Sequence, residues 1–143
     1  TDNSMSRGKL LDRIFSEKVD PNLIQPTFVM DYPVDSTPLA KKKIDAHSVV
    51  ERFELFIDGR EIANAYSELN DPVDQRSRMI QEQDGGIEDD EIPPIDEDFL
   101  TAIDHGMPPA GGIGLGIDRL IMLYTGSTNL REVIQLPTLR NAD

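Results

Sequence analysis

The sequence predicts an α+β fold, on three observations. Asp58-Gly59 sits between two strand-like runs, Arg52 to Ile57 and Arg60 to Tyr66, a strong signal for a two-residue hairpin. Gly112, Gly114 and Gly116 alternate with Ile113, Leu115 and Ile117, as on a strand whose side chains point to opposite faces. Leu10, Leu11, Ile14 and Phe15 recur at helical spacing. The 143 residues suit one domain or part of one, and 38% hydrophobic content allows a core, though not a large one.

In chain order, Ser6 to Lys18 reads as a packing helix that ends before Asp20-Pro21. Thr27 to Met30 reads as a buried strand between Pro26 and Pro33. Ser36 to Lys41 is a loop, and Lys41 to Lys43 a solvated basic turn rather than a phosphate clamp. In the hairpin Ile57 faces Arg60, Phe56 faces Glu61 and Glu54 faces Ala63, so Glu54 and Glu61 are diagonal neighbours. Two carboxylates this close repel unless a cation lies between them or one is protonated. Hard oxygen ligands of this kind suit Mg²⁺ bridging to phosphates. Two exposed acidic side chains on a sheet face fit the same pattern.

Asn64, Tyr66 and Glu68 recur at spacing two. An amide, a ring and a carboxylate could together hold a small amino compound bearing a positive charge. Ordinary alternation on a half-exposed strand gives the same pattern. Simple alternation puts Glu61 and Asn64 on opposite faces. If both serve one site, the strand must kink or bulge near Ala63.

Asp71-Pro72 opens a helix over Val73 to Gln83, and Gly85-Gly86 ends it. Residues 84–98 form an acidic connector without an EF-hand pattern. Asp96 to His105 is a short helix sending Phe99, Leu100 and Ile103 to the core, with Gly106 as its C-terminal cap. Pro108-Pro109 lead into the glycine strand. There Ile113, Leu115 and Ile117 can enter a core, while the glycine face either admits a flat ligand or serves tight packing. Asp118 reads as the N-cap of a buried helix through Tyr124. Arg119, in its first turn, can stack on a ring and pair with phosphate. Thr125-Gly126-Ser127 breaks that helix, and Asn129 to Leu136 is short helical or extended chain.

Composition excludes several classes. Asp and Glu number 27 against 14 Lys and Arg, for a net charge of −13. That disfavours broad contact with nucleic acid or an acidic membrane. The absence of cysteine excludes disulfides and thiolate metal sites. No apolar run approaches a membrane span, no signal peptide is visible, and a start at Thr1 resembles a cut inside a longer protein. His47 and His105 lack a second ligand at metal spacing. The serines lack a neighbouring His-and-carboxylate pattern, so covalent hydrolase chemistry is not expected.

Gly111 to Arg119, with the apolar run after it, resembles motif 3 of the class II aminoacyl-tRNA synthetases, in which a glycine-rich strand and a following Arg hold ATP. Further runs narrow the resemblance to lysyl-tRNA synthetase. They are Pro38 to Lys41, Glu51 to Ile57, Glu61 to Asp71, Gly106 to Pro109, and Arg131 to Ile134 through Pro137-Thr138. The similarity runs from about residue 26 to Arg140 and is weaker before that. Aspartyl and asparaginyl enzymes share the motif 3 type but not Asn64 to Asp71.

The resemblance implies an antiparallel sheet flanked by helices, with residues 1–143 as the C-terminal portion of a class II catalytic domain. Motif 1, motif 2 and the anticodon-binding OB domain are not found in the chain, so the isolated chain is expected not to aminoacylate. Carried over by position, Glu54 and Glu61 coordinate Mg²⁺ on ATP. Asn64 contacts the lysine carboxylate, Tyr66 lines the pocket and Glu68 pairs with the ε-ammonium. Gly112, Gly114 and Gly116 floor the adenine pocket. Arg119, the catalytic residue, covers the adenine and approaches the phosphates. The implied reaction forms lysyl-adenylate and pyrophosphate from lysine and ATP, then transfers lysine to tRNA(Lys). The implied parent is a homodimeric, cytoplasmic enzyme. A paralogue that attaches lysine to a translation factor shares the fold, but the run from Asn64 to Pro72 fits the tRNA enzyme better. A non-catalytic synthetase-derived module is a third reading, and the joint presence of Glu54, Glu61, Asn64, Glu68 and Arg119 speaks against it.

Overall fold

Asp58 and Gly59 have φ of 55° and 67°. Two consecutive left-handed residues make the tight turn whose twist matches that of the flanking strands. That turn joins β2 (Arg52–Ile57) to β3 (Arg60–Ser67), as the dipeptide predicts. In this computed structural model, which describes residues 7–84 and 94–137, β1 (Thr27–Met30) and β4 (Gly111–Leu115) complete the sheet. All pairs are antiparallel, in the order β1-β2-β3-β4. The helices are α1 (Arg7–Lys18), α2 (Pro72–Asp84), α3 (Glu97–Asp104) and α4 (Ile117–Thr125). The fold is therefore α+β. The expected stop at Gly85-Gly86 and most of the acidic connector lie outside the described residues.

The caps follow the sequence at two helices. Asp71 Oδ1 accepts from the backbone N–H groups of Val73 and Asp74 at the start of α2. Asp96 Oδ1 accepts from Phe99 N at 2.8 Å at the start of α3, and Gly106, with φ of 114°, follows its end. At α4 the expectation fails. Gly116, not Asp118, is the N-cap, and no side chain caps it. Gly116 N still donates to Ile62 O, so the chain turns into the helix directly from its last sheet bond. Asp118 sits inside the first turn, where its charge still suits the helix dipole.

Burial departs further from expectation. The strand at Thr27–Met30 is a sheet edge with Phe28 60% exposed, and Ile113 and Leu115 are 63% and 55% exposed. Ile117 is exposed as well, and α4 buries only Met122. Alternation puts Ile113 and Leu115 on one face correctly, whereas Ile117 already begins α4; whether a face is buried depends on what layer lies over it. Leu100 and Ile103 of α3 do enter the core, while Phe99 stays partly exposed.

In α1 the apolar stripe of Leu10, Leu11 and Ile14 stays exposed, and Gly8 is the buried residue. The helix docks through Gly8 against the backbone at Asp35, and through Phe15, whose ring meets Phe56 edge-on at 5.7 Å. A Cβ at Gly8 would overlap the Asp35 carbonyl oxygen and lie 2.7 Å from its carbon. Backbone cannot swing aside as a side chain can. Alanine favours a helix over glycine by about 1 kcal/mol. Gly8→Ala is nonetheless expected to lower stability by about 1–2 kcal/mol, because overpacking dominates. A lower urea midpoint at unchanged slope is the readout, and a raised midpoint would contradict the tight docking.

Segment 40–42 is pinned to α2 by charge. Arg78 Nη1 donates to Ala40 O at 2.6 Å, and its Nε and Nη2 grip Asp74 at 3.2 and 2.6 Å. Lys42 Nζ adds a 3.2 Å contact to the same carboxylate. Lys41 pairs with Asn70 and Lys43 with Asp31, so the three lysines are engaged and partly buried rather than fully solvated. The Arg78 hydrogen bonds, with Lys42 adding, hold the Asp74 carboxyl below its usual range. Its stabilising contribution is thus present above the ordinary carboxylate pKa and is lost as pH falls through the lowered one. Asp74→Asn is expected to cost about 1–2 kcal/mol at neutral pH. It should also flatten the acid decline below about pH 4, measured by urea unfolding across pH.

Candidate functional site

The site begins with one extra residue in β3. Phe56 pairs with Glu61 but Leu55 pairs with Ala63, so the register slips by one between them. Ile62 and Ala63 are both buried. This is the bulge that a shared site requires, and it turns Glu61 and Asn64 to the same face. It also corrects the simple register: Glu54 lies opposite Asn64, not Ala63. Glu54, Glu61, Asn64 and Arg119 then line one cleft of about 510 Å³. Asp12 and Asp20, on and just after α1, form its wall.

Glu54 is buried at the cleft floor. Tyr32 donates its hydroxyl to Glu54 Oε2 at 2.6 Å, and Arg52 Nη2 pairs with Oε1. Burial raises the Glu54 pKa above its usual value; the Tyr32 and Arg52 contacts oppose that, and Glu61 adds to it. Burial likewise raises Asp20, with Ser16 opposing and Asp12 and Glu61 adding. One Asp20 oxygen is buried without a hydrogen-bond partner. Arg119 Nη1 donates to Glu61 O at 2.7 Å and stands 3.5 Å from its carboxylate. Carboxylates crowded this way favour a cation between them.

The donor set is carboxylate oxygen, the type that Mg²⁺ takes. Among the described residues no group of three or more His, Cys, Asp or Glu is arranged to hold a metal. A pair of protein carboxylates completed by phosphates and water is a usual Mg²⁺ arrangement, so Glu54 and Glu61 fit that ion when a nucleotide shares it.

Tyr66 and Glu68 lie outside this cleft, farther along the sheet. Asn64 pairs with Gly114 and Tyr66 with Gly112. Glu68 N donates to Ala110 O at 2.9 Å. The Glu68 carboxylate occupies the space where a Cβ of Gly112 would stand. It accepts no hydrogen bond or ion pair from a described residue. At the other end the Arg119 side chain covers Gly116, with Cδ 3.4 Å from where a Cβ would be. The glycine strand is therefore bare for its own neighbours: Arg119 fills one end and Glu68 the other. At about 3.4 Å per residue these ends are roughly 14 Å apart. The row reads cation, amide, carboxylate.

A second cavity of about 470 Å³ lies between α1 and α2, lined by Lys42, Asp74 and Arg78. Those three charges pair with one another. Sequence reasoning missed Arg52, Tyr32 and the carboxylates of Asp12 and Asp20. Arg52 stands two residues before Glu54, hence on its face of β2, and that spacing was the one available signal.

Comparison with known proteins agrees with the residue pattern. The family described as class II tRNA synthetases (D, K and N) matches residues 9–140. The chain is 57% identical over 136 residues to a lysine–tRNA ligase of Prochlorococcus marinus, covering 94% of this chain and 27% of the relative. It is 54% identical over 137 residues to that of Moorella thermoacetica, covering 95% and 28%. It is 49% identical over 143 residues to that of Carboxydothermus hydrogenoformans, covering 99% and 29%. The chain thus spans little more than a quarter of the length of these relatives. No helix among the described residues is long and apolar enough to cross a membrane.

Proposed function

The chain belongs to the class II tRNA synthetases of the D, K and N group, and from that premise we propose that it carries the part of the site that orients lysine against ATP. The observation that carries this reading is the order of groups along β4. Arg119 stands at Gly116, Asn64 opposite Gly114, and over Gly112 a Glu68 carboxylate that no described residue pairs. That order complements phosphates, then a carboxylate, then an ammonium.

In this reading Arg119, lying over Gly116, meets the phosphates and the adenine beside the open face at Gly114. Asn64 holds the lysine carboxylate, Tyr66 lines the side-chain channel and Glu68 pairs with the ε-ammonium. Glu54 and Glu61 hold Mg²⁺, which lowers the charge on the nucleotide. The lysine carboxylate attacks the α-phosphorus, a new oxygen–phosphorus bond forms, and pyrophosphate leaves with the electron pair. No protein base is needed, because the attacking carboxylate is already ionised. The protein's work is alignment and charge stabilisation. The parent activity is lysyl-adenylate formation followed by transfer to tRNA(Lys). A homodimeric, cytoplasmic parent accompanies that proposal.

Calorimetric titration of the chain with L-lysine, with norleucine and with ATP tests the reading. Lysine is expected to bind at least about tenfold tighter than norleucine, which lacks the ε-ammonium. ATP binding should require Mg²⁺. A folded chain that binds lysine and norleucine alike, or neither, would refute a preformed lysine site.

A further inference from the structure

Arg52 joins two groups of the cleft that the reading above treats separately. Its guanidinium lies over the Tyr32 ring, 4.6 Å from the centroid. Tyr32 also donates to Glu54, so ring and carboxylate hold the guanidinium from two sides. Nη2 pairs with Glu54 Oε1, while Nε donates to Asn64 Oδ1 at 3.1 Å. The side chain is only 16% exposed.

A guanidinium carries donors and no acceptor. Asn64 must therefore turn its oxygen to Arg52, because the flipped amide would set donor against donor. Its two amide hydrogens are left for the cleft, and no described residue accepts them. The planar fork matters as well as the charge: Nε and Nη2 point in fixed, different directions, which a lysine ammonium cannot copy.

Lysine presents an ammonium near each end and one carboxylate. Only the carboxylate tells its ends apart. An amide that offers donors attracts that carboxylate and disfavours an ammonium; an amide offering oxygen would do the reverse.

We propose that Arg52 is a positioning residue that fixes the polarity of the Asn64 amide, and so sets which end of the bound amino acid lies beside the nucleotide. The inference rests on the reading of the cleft as an amino-acid site.

Two measurements test it, one with ligand and one without. By calorimetry the wild-type chain is expected to prefer L-lysine over lysinamide, whose carboxylate is a neutral amide, by about tenfold or more. Arg52→Lys, which keeps the charge but not the fork, should cut that preference to under about threefold. A full preference in Arg52→Lys, with unchanged unfolding, overturns the proposal in favour of plain electrostatics. Without ligand, the Arg52 Nε–H should exchange slowly with water by NMR, and Asn64→Leu should release it. Fast exchange in the wild type, or protection that survives Asn64→Leu, also overturns the proposal. A folded chain that binds no lysine rejects the site reading, and the exchange measurement then decides the amide orientation by itself.

Discussion

Glu68→Gln is expected to weaken lysine binding to this chain by about 100-fold, equivalent to roughly 2.7 kcal/mol. The substitution keeps shape and removes charge. Glu68 spends its carboxylate on no described residue, so its loss should leave the unfolding free energy within about 0.5 kcal/mol of wild type. The bound ε-ammonium, in contrast, would lose its only counter-charge in a partly desolvated channel. Norleucine affinity should stay unchanged, since that ligand has no ε-ammonium to lose. Calorimetry with both ligands separates this from general damage. An equal fall for norleucine would mean that Glu68 shapes the channel rather than reading the charge.

Gly112→Ala should produce a similar loss of lysine affinity, also about 100-fold, by displacing the same carboxylate rather than neutralising it. The new Cβ would claim the position now held by Glu68 Oε1. That atom is the far end of a flexible side chain, so the chain can relax by moving it away. The stability cost is then small, under about 1 kcal/mol, and better strand propensity offsets part of it. ATP–Mg²⁺ affinity decides what Gly112 does. The fold seats Glu68 on it, which predicts unchanged nucleotide binding. A nucleotide loss comparable to the lysine loss would instead make Gly112 part of the adenine floor. In the double variant with Glu68→Gln the two effects should not add, because both remove one interaction.

Neither prediction could be built from spacing alone. The period-two pattern set Gly112, Gly114 and Gly116 on one face and left open what that face receives. Glu68 reaches Gly112 only because β3 and β4 pair in the register Tyr66 to Gly112. The bulge was legible in part. Requiring Glu61 and Asn64 in one site forced an extra residue near Ala63, and the slip lies there. The resulting partner of Glu54 was not legible, since moving one residue changes every pairing beyond it.

The hairpin turn, the strand and helix positions and most caps follow from the sequence, because each is a preference of a few adjacent residues. Asp58-Gly59 accepts left-handed backbone, Asp71 and Asp96 cap helices with their own side chains, and Gly106 accepts a positive φ. The residues offered for metal, nucleotide and lysine follow from it too, through runs specific enough to mark a family. The tertiary fold decides the rest: that Ile113 and Leu115 stand exposed, that Gly8 and not the leucine stripe docks α1, and that Arg52 turns the Asn64 amide. These outcomes depend on contacts between segments far apart in the chain, and local pattern says which residues share a face but not what meets them there.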